Sequence, residues 1–183
     1  MACIGIINSA LAMPCGAPAR ADLSAPVSAK FLNASDIASF TVDSVKGFAT
    51  ITRKPTKVGY DITAINNALT VTVGLKSQDI TPGAYDVSIT FKSFSGAYSL
   101  TSNAVPLGVV GLMPRAELVI AVDHGDVVRV YGLGAPLVCT EMSGDSSASA
   151  YITYTFGVED WQVGTTVHYL SKADYDALST PAE

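Results

Sequence analysis

From residue 37 onward, apolar and polar side chains alternate along this chain in short runs. The clearest run is 85–94, where Tyr85, Val87, Ile89 and Phe91 fall on one side and Asp86, Ser88, Thr90 and Lys92 on the other. Successive side chains of a strand point to opposite faces, so this spacing predicts a strand with one buried face. Leu69, Val71, Val73 and Leu75 repeat the pattern over 69–76. Runs rich in Thr, Val, Ile, Phe and Tyr at 37–43, 47–53 and 58–65 read as further strands. In the second of these, Ala49, Ile51 and Arg53 alternate with Phe48, Thr50 and Thr52, leaving one face drier than the other. Asn66-Asn67 and Pro82-Gly83 mark turns. After Pro114 the pattern predicts strands at 116–122, 126–131, 137–141, 149–158 and 165–170, with a polar turn at 143–147.

Two segments depart from this period. Over 99–114, Leu100, Val105, Leu107, Val110 and Leu112 roughly follow helical spacing, while Pro106, Gly108 and Gly111 weaken a helix. A short, poor helix or a buried loop is expected there. Near the end, Ser171 followed by Asp174 has the form of a capping box with Asp in place of Glu, opening a short helix through Leu178. No repeat, linker or low-complexity stretch divides the chain. The reading is therefore mainly β: one sandwich or barrel domain over 31–183, preceded by an extended arm over 1–30.

That arm is rich in Ala, Pro, Ser and Gly and carries the apolar residues Ile4, Ile6, Ile7 and Leu11. Apolar surface of this kind is expected to pack on a neighbour, which makes these four the candidate assembly residues. A secretory signal is not expected, because no Lys or Arg precedes Arg20. A lipoprotein site at Cys15 is not expected either, since Pro14 stands where a small residue is needed. The apolar run is far shorter than the ~20 residues of a membrane-spanning helix.

Composition sharpens the picture. Hydrophobic residues make up 49% of the 183 and charged residues 15%, against about 25% charged in typical soluble domains. Apolar material beyond the needs of a core points to an oligomer. The net charge of −5 argues against a protein that grips nucleic acid through its phosphates. Residues 1–119 hold 9 basic and 7 acidic side chains (+2), and residues 120–183 hold 2 and 9 (−7). An acidic stretch is ordinarily a solvated face. The alternative is a surface that encloses DNA while repelling it.

The search for chemistry is negative. Cys3, Cys15 and Cys139 fit no metal spacing and their odd number completes no disulfide framework, so free thiols are expected, with a disulfide as the alternative. His124 sits in Asp123-His124-Gly125-Asp126, which is turn composition and lacks further zinc ligands nearby. His168 reads as a strand-surface imidazole. Gly132-Leu133-Gly134 has no third glycine, and no Gly-x-Ser-x-Gly elbow occurs. Trp161 with Tyr151, Tyr154 and Phe156 reads as core and interface packing. No catalytic residue, cofactor or metal is expected.

The order of elements carries a resemblance. Several strands lead to Gly83-Ala84-Tyr85-Asp86-Val87-Ser88-Ile89-Thr90-Phe91, followed by the poor helix and a strand ending in a turn. Then come Val128-Arg129-Val130-Tyr131-Gly132, Pro136-Leu137, and Ala150-Tyr151-Ile152-Thr153-Tyr154-Thr155-Phe156. With the Cys-containing leader and Asp36-Ile37-Ala38-Ser39, this resembles the tail tube proteins of long-tailed phages and prophages, especially those of Bacteroidetes hosts. The resemblance spans most of residues 1–170. Pro106 departs from the family's better helix. What it implies is a virion protein, made in the host cytoplasm, whose six-fold rings stack into a hollow tube. Its partners are then other copies, other tail proteins and DNA passing through without specific binding. A capsid decoration or head–tail joining protein is the alternative, and a bacterial surface or pilus-like sandwich a more distant one.

Deleting residues 2–20 is expected to leave a folded monomer that no longer polymerises, as measured by light scattering on a sizing column. Tubes of normal length from the truncated chain exclude the arm as the joint.

Overall fold

The computed structural model describes residues 26–62, 69–75, 85–94, 116–144, 151–158 and 166–182. In chain order these form β1 (Ser28–Asn33), a short 3-10 turn (Ala34–Asp36), β2 (Ile37–Val42), β3 (Ala49–Arg53), β4 (Tyr60–Ile62), β5 (Leu69–Leu75) and β6 (Tyr85–Phe94). There follow β7 (Glu117–Asp123), β8 (Val128–Tyr131), β9 (Leu137–Gly144), β10 (Tyr151–Gly157), β11 (Val167–Leu170) and α1 (Lys172–Ala177). The strands pair antiparallel, and the protein is mainly β, as the alternation predicts. Among the described residues, no helix is long and apolar enough to cross a membrane.

β7 organises the sheet. Leu118, Val119, Ile120, Ala121 and Val122 are consecutive, apolar and all buried. A strand with that pattern is covered on both faces, so it must stand between two apolar layers. Leu118, Ile120 and Val122 enter one core, and Val119 and Ala121 enter the other. One edge of β7 pairs with β1, from Asn33↔Leu118 to Ser28↔Asp123. Its opposite edge is shared. Residues 120–123 pair with β8, and residues 117 and 118 pair with β9.

Between those two partners, residues 132–136 leave the ladder opposite Val119. Gly132 takes φ +91°, and a Cβ there would lie 2.8 Å from the Leu118 carbonyl oxygen and 3.2 Å from the Leu137 nitrogen. Only glycine combines that conformation with so close an approach. Beyond this corner β9 runs past the start of β7 and pairs with β10, so the sheet forks.

One branch runs β7-β9-β10-β6-β5, and β4 lies beyond β1 on the other side of β7. Ile62 of β4 and Leu69 of β5 share a core with Leu118, Ile120, Ile89, Phe91 and Phe156, so the sheet curls until its two outer strands face one interior. Phe91 stacks on Phe156 at 6.0 Å and tilts against Tyr154 at 5.5 Å. These two β10 aromatics pack in the core as expected; the Trp161 reading lies outside the described residues. The second core lies behind β1, β7, β8 and β11. It holds Leu32, Val119, Val130, Leu133 and Leu170, and it is roofed by the β2–β3 hairpin through Ala49 and by Tyr175 and Leu178.

Most predicted strands agree within a few residues, and three readings differ. β1 begins at Ser28, inside the span read as arm, because buried Lys30 interrupts the apolar pattern that would have marked a strand. β9 continues to Gly144, so Ser143 and Gly144 of the predicted turn are exposed strand positions, and residues 145–147 lie outside the described residues. β4 covers Tyr60–Ile62 of the predicted 58–65, with residues 63–65 outside the described residues. The predicted helix over 99–114 lies outside the described residues. Ser171 does cap α1: its Oγ accepts from the Asp174 amide at 3.0 Å and donates to the Asp174 carboxylate at 2.6 Å.

The corner predicts a ranking of two alanine substitutions. At Gly132, Ala adds a backbone clash to a left-handed strain of about 1–3 kcal/mol. At Gly134 (φ +80°) the nearest atom to an added Cβ is a Phe40 ring carbon at 3.5 Å, so only the strain remains. Urea unfolding is expected to show Gly132→Ala as the more destabilised of the two.

Candidate assembly interface

The candidate site is built from sheet edges. An open edge presents unpaired N–H and C=O groups to any passing strand, and soluble proteins ordinarily blunt such edges by shortness, charge, proline or bulges. β4 has three residues including Asp61, and β11 has four with half-buried His168 among them. β5 has none of these guards. Its seven residues, Leu-Thr-Val-Thr-Val-Gly-Leu, contain no charge and no proline. They pair in unbroken register with β6, from Leu69↔Phe91 to Leu75↔Tyr85. The other edge of β5 has no partner among the described residues, and Val73 is 38% exposed.

At the far side of the same layer, β9 meets β7 only at Leu137 and Val138. Residues 139–144 therefore form a second edge without a partner among the described residues on that side. The layer β9-β10-β6-β5 is thus open at both ends.

Its outer face is lined with hydroxyls. Thr70, Thr90 and Thr155 stand in register across three strands. Thr70 Oγ1 donates to the Thr90 carbonyl (3.4 Å), the Thr90 and Thr155 hydroxyls share a bond of 3.2 Å, and Thr140 Oγ1 donates to the Thr155 carbonyl (3.2 Å). Cross-strand Thr pairs are a favourable way to fill a solvated β face. Exposed Asp86 and Lys92 share it, and Glu141 stands opposite Thr155. Other acidic side chains of the C-terminal part lie elsewhere: Asp126 in the β7–β8 turn and Asp174 and Asp176 on α1.

A different opening lies beside β2. Among the described residues β2 pairs only with β3, and Ala38, Ser39, Phe40 and Thr41 are all exposed. Between β2 and the 132–136 corner is a cleft of about 420 Å³ lined by Ile37, Phe40, Val119, Leu133, Gly134 and Pro136, among others. At the tip of the hairpin Val45 is 90% exposed, and Phe48 packs on Tyr169 with ring centroids 5.8 Å apart.

The C-terminal end is fastened by polar contacts that the sequence did not single out. Lys30, 8% exposed, reaches Asp61 at 2.7 Å and Ser179, and lies 5.1 Å from the Tyr175 ring centre. Lys172 reaches buried Asp123 at 2.6 Å and covers the same ring at 4.8 Å. Its ammonium is held above the usual lysine value chiefly by the Asp123 hydrogen bond. The Tyr175 hydroxyl shares a 2.8 Å bond with Ser28, and burial pushes its pKa up. Arg53 donates to the carbonyls of Ala177, Leu178 and Thr180 at and beyond the end of α1 and to the Lys57 carbonyl in the loop after β3.

The residues singled out for chemistry fall apart in space. His124 is buried in the turn predicted for it, its amide donating to the Val127 carbonyl. His168 is half-buried on β11 beside the Thr166 hydroxyl, and burial lowers its pKa. Cys139 is a half-buried free thiol raised by burial; Cys3 and Cys15 lie outside the described residues. Gly132 and Gly134 shape the corner. Among the described residues no three His, Cys, Asp or Glu side chains gather as a metal set. Ile4, Ile6, Ile7 and Leu11 lie outside the described residues. Compared with known proteins, the chain matches no family model, no curated protein and no solved structure.

Asp36 anchors the start of β2 and gives a pH test. Asn33 donates to its carboxylate at 2.8 Å and Lys57 approaches at 3.3 Å. The Asn33 bond, opposed by burial and aided by Lys57, holds the carboxyl below its ordinary 3.8. A depressed folded pKa stabilises fully above the unfolded value and loses that contribution as pH falls through the folded one. Asp36→Asn is expected to cost about 1 kcal/mol at pH 7, and thermal melts of variant and parent should converge in strong acid.

Proposed function

We propose that this protein is a structural subunit that joins copies of itself into rings and stacks them into a hollow tube, as the tail-tube resemblance implies. The observation that carries the reading is β5: a long, uncharged, unguarded edge at the end of a layer whose other end is also open. In this reading β5 of one copy pairs with residues 139–144 of the next, continuing one sheet from subunit to subunit. Such head-to-tail contacts are heterologous, and they close into a ring when the rotation allows. Ring closure then removes the edges that each subunit exposes alone.

The hydroxyl face suits the inner wall of such a ring. Among the described residues, two carboxylates (Asp86, Glu141) and one ammonium (Lys92) leave it at −1 among uncharged hydroxyls. A duplex slides past a wall like this because few cations are present to bind phosphates and release counterions. Among the described acidic side chains of residues 120–183, Asp126, Asp174 and Asp176 lie away from this face, and Asp123 is committed to Lys172.

Electron microscopy of the purified protein in negative stain tests the reading: rings or tubes are expected. Val73→Lys should cost at most about 1 kcal/mol in the fold and abolish rings, because it places a charge on the edge. A persistent monomer of the parent protein, or rings that survive Val73→Lys unchanged, overturns the proposed contact. Lattice patches or binding to capsids would mark a decoration protein instead.

A further inference from the structure

We infer that the cleft beside β2 is the receptor for residues 4–11 of a neighbouring copy, which add as an extended strand along the open edge of β2. This rests on the self-assembly reading and supplies a second joint distinct from β5. A strand exposed at four successive positions, with a partner on one edge only among the described residues, is a template for strand addition. In that mode main-chain bonds provide the hold, and a pocket beside the edge selects alternate side chains.

The pocket defines its occupant. Of the residues lining it, only Ser39 has a polar side chain; Val119 comes from the core strand β7, and Gly132 and Gly134 leave room for a close backbone. About 420 Å³ falls within the ~300–1,000 Å³ of clefts that hold ligands. The guest should therefore be uncharged, extended and aliphatic. Residues 2–19 contain no charged side chain at all, and Ile4 and Ile6 occupy alternate positions separated by Gly5. On a strand those two isoleucines share a face, as a side pocket requires.

The tether is long enough to bring residues 4–11 to a neighbour's cleft. The described chain enters at Pro26-Val27, where the Val27 amide donates to the Asp123 carbonyl at one end of β7. Val119, at the cleft, is four residues back along that strand, about 14 Å at ~3.4 Å per residue. Residues 12–25 can span up to about 46–50 Å.

Cross-linking of mixed full-length chains decides the matter. One chain carries Ser39→Cys with Cys3, Cys15 and Cys139 each replaced by Ser. Its partner keeps Cys3, has Cys15 and Cys139 replaced by Ser, and bears a tag that alters its size. A short bismaleimide is expected to link the two different chains in most assembled material. Adding Ala38→Arg to the cleft-bearing chain should reduce that link at least tenfold without moving its melting temperature, since Ala38 is exposed. Absence of the mixed link overturns the inference, as does a link found only within one chain carrying both Cys3 and Ser39→Cys. Tubes that form without the mixed link leave the tube reading standing and remove the receptor. Cross-linked pairs without rings keep the receptor and remove the tube.

Discussion

Two-sided burial of β7 is the constraint on which the remaining structure depends. Each fully buried Leu, Val or Ile contributes about 1.5–3 kcal/mol, and β7 presents four such residues plus Ala121 to two separate interiors. Neither interior can be left open without exposing half of that strand. The curled sheet covers one side; the β2–β3 hairpin and α1 cover the other. Because residues 120–123 and 117–118 take different partners on one edge, the covering strands must also diverge at the Gly132 corner. The fork that frees the β9-β10-β6-β5 layer is thus a direct outcome of how β7 is buried.

The second interior is closed with charge as well as with apolar groups. Lys30 points into it from β1, on the same side as Leu32, and its ammonium is neutralised by Asp61 and faces the Tyr175 ring. Two ammonium groups, Lys30 and Lys172, lie near the Tyr175 ring, while its hydroxyl ties to Ser28 of β1. The last helix is therefore bound to the beginning of the domain. Arg53 adds a clamp from β3 onto the helix end, so hairpin, helix and sheet hold one another.

How much of this was legible in the sequence depended on where each side chain's partner lay. β5 and β6 were readable because one face meets solvent and the other meets the core, and that contrast is local. β7 was readable as an apolar run, but nothing in 116–122 says that its two faces enter different cores. β1 was missed because Lys30 breaks its pattern, and the groups that make its burial tolerable, Asp61 and Tyr175, lie far along the chain. Residues 132–136 look like an ordinary loop; their role follows from what stands opposite them. The cleft was invisible for the same reason, since β2, β7 and the corner each contribute small or apolar residues that are unremarkable alone. The edge of β5 could have been found by asking which strand lacked any charge or proline.

An unguarded β5 also bears on timing. Under the proposed assembly, a subunit with this edge has no device of its own, among the described residues, that distinguishes the right neighbour from any other extended segment it meets. Pairing is then second order in concentration, and newly made chains compete between productive growth and tangled precipitates. Such a protein benefits from a seed that offers the correct first edge before its own level rises. In that proposed assembly, the order in which components appear would decide the product as much as the surface itself.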